Sequence, residues 1–224
     1  MHIPDGFLNA GTSIATGAAS VGAVGYGLKK AREQLDERRI PLLALTAAFI
    51  FAAQMLNFPV AGGTSGHFLG AILAVTLLGP WMGSLVISLV LLVQAFGFAD
   101  GGITALGANI FNMGIVGAIG GYYILTGLKA LLPKTRWGFM ASVAVASWLS
   151  VVLASAAASF ELAISGTIPL HVVLSAMVGV HGLIGIGEAV VTCAVVAVVM
   201  AARPDLISLL SLKRFKGAEE AGAA

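Results

Sequence analysis

The chain opens Met1-His2-Ile3-Pro4-Asp5-Gly6-Phe7, with a histidine in second position. A free α-amine, the main-chain nitrogen of residue 2 and the Nδ1 of that residue's imidazole close two fused chelate rings, so three nitrogens lie in one plane. One more ligand completes a square, and all-nitrogen planar or tetragonal sites suit Ni(II) and Cu(II). The plainer alternative is a histidine that falls by chance in an unstructured start. The chelate requires a free amine. Residues 1–6 carry no basic run and no cleavage signal follows, so the chain start is expected to be retained.

Three further histidines occur, His67, His171 and His181. His67 ends the run Gly62-Gly63-Thr64-Ser65-Gly66-His67, read here as a glycine-rich turn entering a helix. It is the candidate fourth ligand beside Met1 and His2. His171, next to Pro169, reads as an interfacial residue. Asp5 is placed to orient a ligand from outside the first coordination sphere. Polar residues within apolar stretches are costly and often functional, which singles out Gln54, Asn57, Asn109, Asn112 and Glu188. His181 and Glu188 are seven apart, share a helical face and are expected to be satisfied by interhelical hydrogen bonds.

The elements that position these groups are membrane helices. The 224 residues are 58% hydrophobic and 10% charged, with a mean hydropathy of +1.00, far too apolar for a soluble domain. Apolar stretches at 9–28, 40–57, 67–80, 82–98, 103–128, 137–160 and 175–201 predict an all-α bundle of seven transmembrane helices. The 67–80 stretch is the weakest, short and followed by Gly79-Pro80, and is expected to be a short tilted span. All 12 lysines and arginines fall in 29–39, 129–136 and 203–216. Seven spans place them on one side, so the positive-inside rule puts the N-terminus outside and the C-terminus in the cytoplasm. Met1, His2 and His67 then share the outer side. Residues 1–216 form one expected domain, and the Ala/Gly-rich 217–224 a flexible tail. Ala15, Ala19, Ala23 and Gly27 recur every fourth residue, a row that permits close helix packing in lipid or docking of another subunit.

Several function classes fall away. Cys193 is the single cysteine, so no disulfide framework or thiolate cluster forms. No G-x-x-x-x-G-K-[ST] loop is present, so ATP hydrolysis would need a partner. The spacing from His181 to Glu188 does not fit H-E-x-x-H. The basic residues are accounted for by topology, and no nucleic-acid partner is expected.

Met1-His2-Ile3-Pro4-Asp5-Gly6-Phe7, Gly63-Thr64-Ser65-Gly66-His67, the stretch from Asp100-Gly101-Gly102 through Asn109-Ile110-Phe111-Asn112-Met113, and Gly185-Ile186-Gly187-Glu188-Ala189 together resemble motifs of the CbiM/NikM family. These are substrate-binding membrane subunits of energy-coupling-factor nickel and cobalt transporters, and the resemblance covers nearly the whole chain. It implies a seven-helix capture subunit whose N-terminal segment is tucked into the bundle, in a prokaryotic inner or plasma membrane. The implied ligands are the Met1 amine, the His2 amide and imidazole, and His67. Ser65, Asn109, Asn112, His181, Glu188 and Asp5 are candidates around them. The implied partners are a transmembrane coupling subunit, a pair of cytoplasmic ATPases and an accessory membrane subunit. Ni(II) or Co(II) would be cargo rather than a catalytic cofactor, with nickel favoured by planar nitrogen geometry. The competing readings are a stand-alone secondary transporter or channel, expected to show broken helices or inverted repeats, and a membrane metalloenzyme, which needs an open metal position.

Overall fold

A computed structural model describes residues 1–34, 39–60 and 64–210. The expected 217–224 tail, Gly62 and Gly63, and part of the first basic connector lie outside the described residues. The chain forms α1 (Ala10–Gln34), α2 (Ile40–Gln54), β1 (Asn57–Val60), β2 (Thr64–His67), α3 (Ala71–Leu78), α4 (Pro80–Phe98), α5 (Leu106–Ile110), a π-helical stretch Phe111–Gly120, α6 (Gly121–Leu131), α7 (Arg136–Ile164) and α8 (Leu170–Ala202). A 3₁₀ turn, Pro204–Leu206, follows. Local chemistry explains several boundaries. Asn9 starts α1 by accepting the Thr12 N–H at 2.8 Å, and Thr135 starts α7 by accepting the Gly138 N–H at 3.1 Å. Pro80 opens α4, where a missing N–H costs nothing.

Four helical rods are long and apolar enough to cross a membrane: Pro80–Phe98, Leu106–Leu131, Arg136–Ile164 and Leu170–Ala202. The second is continuous through α5, the π-helical stretch and α6. The other expected spans behave differently. α2 has 15 residues, short of the ~20 that a perpendicular crossing takes. The 67–80 reading needs correction: α3 has 8 residues, all buried by the rest of the bundle, so it is an internal packing helix rather than a lipid-facing span. Its continuous apolar run reflects burial on every face, which sequence periodicity does not separate from a membrane span. The small-residue row on α1 is also split. Ala15 and Ala19 are exposed, Ala23 is half-buried and Gly27 is buried.

Sequence reading missed the hairpin. β1 and β2 pair antiparallel with Asn57 opposite His67 and Val60 opposite Thr64. Two strands alone are marginal in stability, and this pair rests on α8. A Cβ on Gly66 would lie 2.6 Å from Ile184 Cδ1, so β2 packs closely on that helix and a larger residue there would have to push the Ile184 side chain aside. His67 therefore ends a strand instead of entering a helix, and three residues separate it from α3.

The bundle has two chemically distinct ends. At one, the N-terminal segment, the hairpin, the 99–105 loop and the 165–169 loop converge. Thr167 Oγ1 donates to the Phe7 carbonyl, and Asn9 Nδ2 donates to the Ile164 carbonyl at the end of α7 at 3.2 Å. The other end carries the basic groups near the start of α7 and the end of α8, where Lys129 Nζ donates to the Leu209 carbonyl at 2.7 Å. α7 runs 29 residues between them, about 43 Å at the α-helical rise.

Candidate metal centre

Met1 is fully buried and His2 is 4% exposed. This placement follows from bonds that hold residues 1–7 as a docked segment. The Met1 amine donates to the Ser65 carbonyl and, at 3.2 Å, to Ser65 Oγ. The His2 N–H donates to the same Oγ at 3.3 Å. Asn109 brackets Ile3: its Oδ1 accepts the Ile3 N–H at 2.8 Å and its Nδ2 donates to the Ile3 carbonyl at 3.2 Å. The Gly102 N–H reaches that carbonyl at 2.9 Å. A Cβ on Gly102 would stand 2.3 Å from the Asp5 nitrogen, so the docking surface is bare main chain. Asp5 Oδ1 accepts from the Thr104 N–H at 2.7 Å and from Thr104 Oγ1 at 2.5 Å.

The docked segment brings two imidazoles together. The rings of His2 and His67 lie with centroids 4.6 Å apart at 33°. His67 Nδ1 is 2.7 Å from the Phe68 carbonyl; since a carbonyl only accepts, Nδ1 carries the proton and Nε2 presents a lone pair. Nε2 of His67 and Nε2 of His2 are both buried without a hydrogen-bond partner. Nδ1 of His2 lies on the Gly101 side, 3.0 Å from where a Cβ there would stand.

Electrostatics favour neutral donors. Burial draws the Met1 amine down to about 4, against the opposing pull of the Asp100 carboxylate. Burial, and then the amine's charge, lowers His2 to about 3. At neutral pH both are free bases, the forms that ligate metals. Asp100 was not singled out from the sequence. Its Oδ2 stands 3.8 Å from His2 Nε2 and 3.5 Å from Asn57 Nδ2, and partial burial raises its pKa. The Thr104 side chain, then its N–H, holds Asp5 below the usual carboxylate range.

The remaining candidates separate. Ser65, Asn109 and Asp5 hold the segment. Asn112 does not: its Nδ2 donates to Glu161 Oε2 on α7 at 2.7 Å, so it ties two helices instead of supporting the N-terminus. His181 and Glu188 do not bond each other. His181 Nδ1 meets the Met177 carbonyl of its own helix at 2.7 Å, and its ring lies beside the Ser65 carbonyl. Glu188 accepts the N–H groups of Leu69 and Gly70 at 2.7 and 2.8 Å. His171 is exposed. Among the described residues no three His, Cys, Asp or Glu side chains converge as a metal cluster; the donors that do converge are an amine, a main-chain nitrogen and two imidazoles.

The chain has relatives among known proteins. Residues 2–206 match the family model described as the cobalt uptake substrate-specific transmembrane region. A putative fused nickel transport protein NikMN of Archaeoglobus fulgidus is 42% identical over 209 residues, 92% of this chain and 68% of that protein. The cobalt transport protein CbiM of Sorangium cellulosum is 33% identical over 221 residues, 96% of this chain and 97% of that protein. A crystal structure of a truncated transition metal transporter superposes with a TM-score of 0.83 at 36% identity, covering 90% of this chain and 99% of that one. The relatives are named as metal transport proteins, and the shared fold has helices built to cross a membrane. This chain is a membrane protein belonging to the CbiM family.

Proposed function

We infer that this protein captures Ni(II) or Co(II) for an ATP-driven importer of the energy-coupling-factor type. The single observation that carries the reading is a chain terminus buried to the last atom, its amine and residue-2 nitrogen beside two imidazoles whose Nε2 atoms have no partner. An unpaired polar atom costs about 1–3 kcal/mol when buried, and a metal ion bound at His67 Nε2 removes that cost. The Met1 amine, the deprotonated His2 nitrogen, the His2 imidazole Nδ1 and His67 Nε2 supply four nitrogens. That set favours a planar d⁸ ion, hence nickel over cobalt. A filled square leaves no open position for chemistry, which suits cargo rather than catalysis.

The site end faces outward in this reading, and the basic end the cytoplasm, in agreement with the positive-inside rule. The four long rods, α1, α2 and the internal α3 make the seven-helix capture domain over residues 1–216, in a prokaryotic inner or plasma membrane. Energy comes from partners: a transmembrane coupling subunit with two ATPases, and an accessory membrane subunit. Purification without chelators, with metal analysis and an ATPase assay of the co-purified complex, tests both halves. Stoichiometric nickel or cobalt with an attached ATPase supports the proposal. A protein that takes up neither metal sinks it, and metal capture and uptake in vesicles lacking any ATPase would favour a secondary transporter.

A further inference from the structure

His67 is fixed at two places along its chain, and both places are on α8. On its N-terminal side, Gly66 packs on Ile184 and Val180, and Thr64 Oγ1 donates to Met177 Sδ at 3.0 Å. On its C-terminal side, the main chain of Leu69 and Gly70 is gripped by Glu188, one carboxylate oxygen to each N–H. The Leu69 carbonyl is held from the opposite side by Gln54 Nε2 of α2 at 2.8 Å. Glu188 is 1% exposed and Gln54 fully buried. The imidazole itself is tied to the adjacent main chain through the Phe68 carbonyl. A continuous set of hydrogen bonds thus runs from Glu188 through the main chain of residues 68–70 to the ring.

We propose that Glu188 is the positioning residue through which α8 sets the coordinating nitrogen of His67. The inference rests on the capture function argued above. A carboxylate is the fitting group because it alone among uncharged and charged side chains offers two equivalent acceptors to two consecutive N–H groups. With both bonds made, a displacement of α8 bears directly on the main chain next to His67, while Gln54 of α2 holds the Leu69 carbonyl from the other side. α8 continues for fourteen residues past Glu188 to Ala202, at the basic end of the bundle. A shift imposed there reaches His67 along one continuous helix, and metal geometry tolerates about 0.2 Å of ligand displacement. Release of cargo then needs no change at Met1 or His2: drawing one imidazole out of the plane opens the square.

Glu188 also stands at the start of α3, so a mere helix-terminus role must be separated from control of His67. The experiment uses the full chain tagged after Ala224, titrated with Ni(II), with affinity and the visible spectrum as readouts. Wild type and His67→Ala fix the two limits, diamagnetic four-nitrogen nickel and a weaker, solvent-completed site. Glu188→Gln loses one acceptor and turns an amide N–H toward a main-chain N–H. It should weaken binding about 10–100-fold, the usual effect of losing an outer-sphere support, and shift the spectrum toward that of His67→Ala. In the His67→Ala background the same change should alter affinity less than about threefold, because coupled residues are not additive. Unchanged affinity and spectrum in Glu188→Gln, or an equal loss in both backgrounds, overturns the proposal while leaving nickel capture intact. A wild-type protein that binds no nickel or cobalt instead removes the functional reading beneath it. If Glu188→Gln does not insert, Gln54→Met releases the Leu69 carbonyl from the other side. It should give a smaller loss that vanishes without His67, and no loss there would also overturn the idea.

Discussion

At one end of the bundle, Met1, His2 and His67 are buried around nitrogen lone pairs, whereas Asn112 and Glu161 are buried as a pair between the π-helical stretch and α7. Both clusters have unpartnered atoms: Nε2 of each histidine in the first, Asn112 Oδ1 and Glu161 Oε1 in the second. The difference lies in how the groups are held. In the first cluster, bonds from Ser65, Asn109 and Gly102 to the main chain of residues 1–3 carry the positioning, which leaves Nε2 of both histidines without a hydrogen-bond partner. In the second, the side chains are spent on each other across two helices. Equal burial therefore serves two ends, one cluster suited to a transition metal and the other to helix packing.

The sharpest way to break this comparison is to extend the chain before Met1. An uncleaved N-terminal extension replaces a basic amine with an amide and has no room where Met1 is fully buried. High-affinity nickel binding should vanish, while the same tag after Ala224 is harmless; isothermal titration of both proteins, using a histidine-free tag, decides it. A fully competent extended protein would exclude the amine chelate. His67→Ala should cost about a hundredfold or more in affinity, the loss of a whole ligand, and leave a folded, inserted protein.

Proton linkage comes next in size. The docked amine and His2 sit at about 4 and about 3, while the undocked groups take ordinary values of about 8 and 6.5. Because the docked values are lower, docking is at full strength above pH ~8 and weakens as pH falls through the undocked values toward the docked ones. Metal binding also expels the His2 amide proton. Affinity should accordingly drop about tenfold or more per pH unit between 8 and 6, read by nickel titration at fixed ionic strength. A flat profile would point to oxygen or thioether ligands.

Smaller effects sharpen the contrast. Asp100→Asn keeps the shape beside His2 and removes the charge, so affinity should fall by a few-fold and become less sensitive to salt; affinity measured at two salt concentrations reads both. Asn112→Ala should lower thermal stability, by about 1–3 kcal/mol for an orphaned Glu161, without altering the nickel spectrum. A changed spectrum there would merge the two clusters into one site. His171→Ala, on an exposed residue, should bind as wild type does.

The sequence alone determined the membrane character, through its run of apolar stretches, and the chelating potential of Met1-His2, because three of the donors are neighbours in the chain. It also marked His67, Asn109 and Asp5, whose neighbours carry glycines or family-like motifs. Tertiary structure decided what distance along the chain conceals. Asn109 meets Ile3 across 106 residues and Glu188 meets Leu69 across 119, contacts that no local period encodes. The same holds for errors of reading. Asn112 stood out as a polar residue within an apolar stretch, and only the packed helices show that its amide meets Glu161 on α7. The α3 run looked like a span because a segment buried in protein and one buried in lipid have the same composition. Local chemistry is written in adjacent residues, while the choice of partner for a buried polar group is made only when the helices pack.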